Sequence, residues 1–349
     1  MPHHGQLVEM VRNKRTWRAD SFESQRPWVY RLPDDFLAIV EEANRQRRGT
    51  SSEPVTEFYL DEAQLRACHR IIQPVLDSLE SGPGFVVIER VSIDAGQANP
   101  ITPNLLYWLV GQCLGQPFPQ NIEGTLLYDV RDTGYNVADG SRFSVTNAES
   151  SFHTDASFGH EIPDYIGLLC LQTAKSGGRS QLVSAYALHN ELLAKHAQIL
   201  ETLYEPFYVD RRGQFTAGEL PFSKFPVLGW DGRELTMRYL HYYIEVGHEK
   251  AAQPLTAAQV KSLEVMKELL DRQDFRVEFD LHPGQMVFMN NHWILHNRTA
   301  FEDHRDPQQR RHYLRLWLSR ASSAASESDK SAGRPSVIEG SVTRSEELR

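Results

Sequence analysis

The chain is poor in cysteine: it has three in 349 residues, and Cys68, Cys113 and Cys170 fall in no C-x-x-C spacing. That argues against a disulfide framework and a thiolate zinc site, and it fits a reducing, cytoplasmic setting. Basic residues are also in deficit. A formal net charge of -9 has the wrong sign for displacing counterions from a phosphate backbone, so no nucleic-acid partner is expected. No apolar run reaches the length of a membrane span, and the opening MPHHGQLVEMVRNKRTW holds no apolar stretch of signal type, so no membrane partner is expected either. With 40% hydrophobic and 24% charged residues, the composition is otherwise that of a globular protein able to bury a large core.

Residues 1–50 are polar and irregular, with Trp17, Trp28 and Tyr30 as anchors, and read as a wrap over a core formed elsewhere. Residues 51–320 read as one domain. Between 60 and 80, Leu65, Cys68, Ile71, Ile72, Val75 and Leu79 recur at helical spacing until Ser81-Gly82-Pro83-Gly84 stops the run. A strand over 84–91 and a helix over 104–115 follow. From residue 125 onward strand signals dominate, including TLLYDVRD, DYIGLLCLQTA, SQLVSAY, ELTMRYLHYYIEV, FRVEFDL, QMVFMNN and RRHYLRLWLSR. Helical segments at 185–204 and 256–272, the second with Thr256 as N-cap, interrupt them. The pattern predicts a mainly β sandwich or barrel with flanking helices. The Ser/Glu-rich tail 321–349 has no hydrophobic periodicity and is expected to be flexible.

The strongest local signal is Phe152-His153-Thr154-Asp155. Side chains two residues apart on an extended segment face one way, so His153 and Asp155 can reach a common point. An imidazole and a carboxylate so placed are two of the three ligands of a two-His, one-carboxylate site for non-haem Fe(II). With 14 histidines and 46 acidic residues in the chain, the tripeptide alone arises easily by chance. Weight comes from downstream. HPGQMVFMNNHWILHNRTAFED places His296 after a predicted strand, and RRHYLRLWLSR then alternates cleanly. Arg311, Tyr313, Arg315, Trp317 and Ser319 share one face, and His312, Leu314, Leu316 and Leu318 the other. The two guanidiniums stand roughly 13 Å apart along the strand. Burying them calls for anionic partners, for which a carboxylate is the natural match.

These elements, in this order, resemble the taurine dioxygenase-like (TauD/TfdA) family of 2-oxoglutarate-dependent oxygenases over roughly residues 80–320. The family pattern is an H-x-[DE] pair, a GG-x-[TS] segment, a distal His and an Arg some ten to fifteen residues later. Here these are His153 and Asp155, Gly177-Gly178-Arg179-Ser180, His296 and Arg311. The resemblance implies a double-stranded β-helix, the clavaminate synthase-like jelly roll, with Fe(II) held by His153, Asp155 and His296. It implies Ser180 and Arg311 on the distal carboxylate of 2-oxoglutarate, with Arg315 beside them or on an anionic group of the substrate. The activity implied is a hydroxylation that consumes O2 and 2-oxoglutarate and releases succinate and CO2. Desaturation and cyclisation use the same ligands. Asp155 argues against halogenation, because related halogenases carry a small residue there. Family members are often dimers or tetramers, which makes a homo-oligomer an expectation by analogy. The chain departs from the pattern at Asn290-Asn291-His292, where Asp-Asn-Arg is usual, and at Ser180, where Thr is commoner.

The polar segment 128–152, directly upstream of the ligand pair, has the character of a lid. Asn147 and Glu149 within it, and His292, are candidate contacts to a small polar substrate. Arg238, Tyr239 and Tyr243 are weaker candidates. His292 and His296 have the i, i+4 spacing of a zinc helix, but Trp293 stands where a zincin needs Glu. His241 and His248 read as ordinary histidines. The rival from another class is a jelly-roll binding protein without chemistry.

Overall fold

The computed structural model describes residues 5–22, 27–46, 54–91, 101–135 and 142–320. Its strands are β1 (Val29–Tyr30), β2 (Phe85–Ile88), β3 (Gln116–Phe118), β4 (Leu127–Val130), β5 (Tyr165–Gln172), β6 (Ser176–Gly177), β7 (Ser180–Ser184) and β8 (Pro206–Asp210). They continue with β9 (Phe222–Pro226), β10 (Leu228–Trp230), β11 (Leu235–Met237), β12 (Arg276–Phe279), β13 (Met286–Asn290), β14 (Ile294–Arg298), β15 (Phe301–Glu302) and β16 (His312–Ser319). The helices are α1 (Asp34–Gln46), α2 (Glu62–Ile71), α3 (Gln73–Glu80), α4 (Pro103–Leu114), α5 (Ala185–Lys195), α6 (Ala197–Leu203), α7 (His241–Lys250) and α8 (Ala257–Asp271).

Two sheets carry the jelly roll. The larger runs β1-β2-β13-β5-β16-β3, with β4 also on β16, and the smaller runs β12-β7-β14. The alternation read in β16 decides how they face. Leu314, Leu316 and Leu318 pack into one hydrophobic cluster with α1–α4, whereas Tyr313 and Trp317 point into the other, together with residues of the smaller sheet, α5 and α8. Each face of the larger sheet thus meets its own apolar layer, and the polar side chains of β16 are held between the sheets.

Local chemistry explains the element boundaries. Asp61 caps α2 in a reciprocal box with Gln64, and Thr256 does the same with Gln259 at α8. The single helix expected over 60–80 is two, because Pro74 has no N–H for the helical ladder and starts α3 instead. The strand expected from ELTMRYLHYYIEV is a strand only at β11. Beyond it burial recurs at Tyr243, Ile244, Gly247 and His248, which is helical spacing, and this is α7. Its aromatic and β-branched residues are overridden by packing on β8, where a Cβ at Gly247 would lie 2.5 Å from the Tyr208 carbonyl. His248 is structural: its Nε2 accepts from the Tyr208 amide at 3.1 Å and its Nδ1 meets the Gln253 carbonyl at 2.7 Å.

The first fifty residues are less irregular than expected. Phe36, Val40 and Ala43 bury one side of α1, and β1 pairs in parallel with β2. Trp17 does anchor the segment, donating from Nε1 to the Pro83 carbonyl at 2.7 Å. The tail 321–349 lies outside the described residues. Among the described residues the three cysteines are free and buried, and no helix is long and apolar enough to cross a membrane.

Glu191 on α5 ties the N-terminal segment down. It meets Arg18 at 2.6 Å, Arg272 at 2.6 Å and Lys195 at 2.8 Å. Burial works against its charge, but Lys195, Arg272 and Arg18 outweigh it and hold its carboxyl down to about 2. A depressed carboxyl stabilises the fold above its unfolded value and loses that contribution as pH falls through the folded one. Glu191→Gln is therefore expected to cost about 1–2 kcal/mol near neutral pH, allowing for screening of the part-exposed cations. In urea melts the gap from wild type should narrow below about pH 4.5 and vanish near pH 2; a gap unchanged by acid would exclude the charge as its cause.

Candidate metal centre

His153 and His296 come together through the backbone. The two residues exchange both main-chain hydrogen bonds, His153 N to His296 O at 3.0 Å and His296 N to His153 O at 2.9 Å, so the segment before β5 is zipped onto β14. Thr154 is held from the other side: its amide donates to Tyr239 O at 3.0 Å and its hydroxyl to Met237 O at 2.9 Å. Asn291 then clamps Asp155, accepting from its amide at 2.8 Å and donating to its carbonyl at 3.0 Å. Ser151 and Ala156 flank the turn at φ 57° and 54°, a conformation that costs non-glycine residues about 1 kcal/mol or more and persists where surroundings over-determine it.

The side chains that result suit a metal ion. The ligand atoms of His153, Asp155 and His296 all lie within 4.8 Å of one another. Asp155 Oδ1 is 3.5 Å from His153 Nε2 and 4.0 Å from His296 Nε2. His153 Nδ1 meets the Ser151 carbonyl at 2.8 Å. That carbonyl can only accept, so the proton sits on Nδ1 and the Nε2 lone pair is presented to the centre. Asp155 is similarly oriented. Its Oδ2 accepts from Trp317 Nε1 at 2.7 Å and faces Arg315 Nη1 at 3.1 Å, while Oδ1 accepts from the same Nη1 at 3.3 Å and faces the imidazoles.

Electrostatics keep the ligands in their metal-binding forms. Burial works to raise the Asp155 carboxyl, but Arg315 and then the two imidazoles overrule it and hold it well below the usual carboxylate range. Burial and the neighbouring His153 push His296 down to about 3, so it is neutral near pH 7. Its Nδ1 is buried without a hydrogen-bond partner.

Arg315 of β16 and Arg311, just before that strand, divide the site between them. Arg315 lines the pocket around Asp155, with Arg142, Tyr243 and Trp317. Arg311 lies away from it and is 4% exposed. Its guanidinium stacks 3.8 Å over Tyr313, and its Nη1 is buried without a partner. Gly178, at φ 74°, passes so close that a Cβ there would meet Arg311 Nε at 3.3 Å, and at Gly177, φ 72°, a Cβ would lie 2.3 Å from the Ala300 carbonyl oxygen. Ser180 is directly opposite Arg298 and Leu182 is opposite His296. Opposed residues share a face, so Ser180 lies on the same side of the smaller sheet as His296. Arg311, a buried cation with a spare donor, has the chemistry to take a carboxylate.

The other sequence candidates fall elsewhere. Glu149 accepts from Asn297 Nδ2 at 2.7 Å, on the opposite face of β14 from His296, and Asn147 is exposed. His292 is engaged by Asp164 at 2.7 Å and does not line the pocket. Arg238 donates to the Gly159 carbonyl at 2.5 Å, and Tyr239 is buried behind Thr154. Of the weaker candidates Tyr243 alone reaches the pocket. Sequence reasoning missed Gln120, Arg142 and Arg298. Arg298 shares the face of His296, as its i+2 spacing implies, but its guanidinium donates to the Thr146 and Ala148 carbonyls; the other two carry no periodic signal.

Comparison with known proteins agrees with this centre. The sequence model of the family described as taurine catabolism dioxygenase TauD, TfdA family matches residues 51–317. The chain is 26% identical over 319 residues to the FR-33289 synthase of Streptomyces rubellomurinus (strain ATCC 31215), covering 89% of this chain and 91% of that protein. A solved asparagine oxygenase, in complex with Fe(II), hydroxyasparagine and succinate, is similar with a TM-score of 0.62 at 18% identity, covering 84% of this chain and 93% of that one. The non-heme iron oxygenase OrfP, solved with Fe and α-ketoglutaric acid, is similar with a TM-score of 0.58 at 19% identity, covering 83% and 94%. With the family match spanning the clustered His-Asp-His side chains and β16, the chain belongs to the TauD, TfdA family and is an Fe(II)- and 2-oxoglutarate-dependent dioxygenase.

Proposed function

We propose that His153 Nε2, Asp155 Oδ1 and His296 Nε2 hold the iron and that Arg311 and Ser180 take the distal carboxylate of 2-oxoglutarate. On this reading Arg315 faces the substrate, a small polar metabolite such as an amino acid or a related carboxylate or sulfonate, hydroxylated at an unactivated C–H in the cytoplasm. The observation that carries it is the convergence of three ligand atoms within 4.8 Å. Bound together, iron and 2-oxoglutarate supply the oxidising equivalents that place one atom of O2 on the substrate carbon while 2-oxoglutarate loses CO2 and becomes succinate.

The protein's own share is orientation and an apolar surround. Ser151 and Trp317 fix the directions of His153 and Asp155. Phe143, Phe158 and Leu240 give the pocket apolar walls. The hydroxylated amino acids bound by asparagine oxygenase and by OrfP support a substrate of this size and polarity. A succinate-release screen over amino acids, peptides and sulfonated or carboxylated metabolites tests the reading. Turnover above the substrate-free background with one class is expected. No stimulation by any class would favour a binding protein on the same scaffold.

A further inference from the structure

Asp155 does not hold its direction alone. Arg315 Nη1 lies against both of its oxygens, Oδ2 at 3.1 Å and Oδ1 at 3.3 Å. A partner of this kind orients a ligand only as well as the guanidinium is itself oriented. Two rings flank that guanidinium, with the Tyr128 and Trp317 centroids at 5.3 Å and 4.9 Å. Ring faces attract a cation without setting the direction of its N–H bonds. Among the described residues, the directional side-chain contact that Arg315 makes besides Asp155 is with Gln120, whose Oε1 accepts from Arg315 Nε at 2.8 Å.

Gln120 is 2% exposed and sits where β16 changes partners, residues 313–316 pairing with β4 and 317–319 with β3. The connection from β3 to β4 makes a tight turn here: Gln120 N donates to Thr125 O at 2.9 Å, and Thr125 N to Asn121 Oδ1 at 2.9 Å. The Gln120 side-chain amide spans the seam. Its Nε2 donates to the Arg315 carbonyl at 2.8 Å and to the Leu126 carbonyl at 2.9 Å. Carbonyls only accept, so turning the amide over would set its oxygen against two oxygens and its NH2 against the Arg315 N–H. Oε1 is thereby fixed on Arg315 Nε. The Gln120 main chain makes a separate contact, its carbonyl accepting from Arg142 Nη1 at 3.1 Å, which a side-chain substitution leaves in place.

We propose that Gln120 is a positioning residue for the metal centre: by anchoring Arg315 at Nε it holds Nη1 on Asp155 and keeps Oδ1 aimed at His153 and His296. The proposal rests on the assignment of Asp155 as a ligand under the proposed function. Gln120 acts only through Arg315. Without it, Nε is a buried donor lacking an acceptor, and the guanidinium regains one by turning off Asp155 toward the pocket. The carboxylate then keeps Trp317 alone, and the loss falls on metal affinity, which depends on how firmly each ligand is oriented.

Metal binding, not turnover, is the readout. Fe(II) is titrated anaerobically into the full-length protein by calorimetry, and 2-oxoglutarate is then added to develop the visible charge-transfer band. Gln120→Leu, apolar and of similar volume, is expected to weaken Fe(II) binding about tenfold. Gln120→Glu keeps an acceptor for Nε but loses the donor to the two carbonyls, so it should melt earlier than wild type yet bind Fe(II) within about threefold of it. In an Arg315→Met background Gln120→Leu should cost no further Fe(II) affinity, since nothing is left for Gln120 to hold. Gln120→Asn, one methylene short of Arg315, is the milder form of the same loss and should weaken binding in the same direction, which keeps the test decisive if the leucine variant does not fold. Wild-type affinity in Gln120→Leu overturns the proposal. So does an equal loss in Gln120→Glu, or a loss that persists undiminished beside Arg315→Met, because either would make Gln120 a structural residue. Absence of Fe(II) binding and of the band in the wild-type protein is a separate failure: it overturns the proposed function, and this proposal with it.

Discussion

Asp155→Ala is expected to lower substrate-coupled succinate formation by at least about a hundred-fold while the chain still folds. The variant loses the only carboxylate among the three clustered ligands. It also strands the groups that Asp155 satisfies, Trp317 Nε1 at 2.7 Å and Arg315 Nη1 at 3.1 Å. Removing one partner of a buried ion pair typically costs about 3 kcal/mol or more, so the metal-free variant should also melt earlier. Asp155→Asn separates the two effects: it keeps an oxygen for the indole but loses the charge, so activity should fall with a smaller loss of stability. Turnover undiminished in Asp155→Ala would show that the carboxylate is misassigned.

Arg311→Gln should raise the KM for 2-oxoglutarate by roughly 30-fold or more, the effect of removing one side of a buried charged pair worth at least about 2 kcal/mol. Its effect on stability has the opposite logic. In the unliganded protein Arg311 is a buried cation whose Nη1 has no hydrogen-bond partner, so a neutral replacement relieves a desolvation cost. The thermal midpoint without 2-oxoglutarate is therefore expected to hold or rise, while the stabilisation conferred by added 2-oxoglutarate disappears. Parallel loss of stability and affinity would mark Arg311 as a structural residue instead.

How much of this was legible depended on whether a signal was periodic. Strand β16 could be read residue by residue, because Tyr313 and Trp317 pack on one side and Leu314, Leu316 and Leu318 on the other. His153, Asp155 and His296 were legible through two-residue spacing and their order with the glycine pair and Arg311. Residues 241–246 read as strand but form part of α7, because packing on β8 overrides their β-type composition. Glu149 and His292 lie near the ligands in sequence, but the backbone turns their side chains to Asn297 and Asp164. Gln120 was invisible for the converse reason: its bond to Arg315 joins residues 195 apart, and nothing in either local pattern announces it.

The central claim is that His153, Asp155 and His296 hold Fe(II) in a form that leaves room for 2-oxoglutarate, and anaerobic spectroscopy tests it most directly. Adding Fe(II) and 2-oxoglutarate to the wild-type protein should produce a weak visible metal-to-ligand charge-transfer band, lost in His296→Ala. A wild-type protein that shows no such band, or a band that persists unchanged without His296, would contradict the assignment.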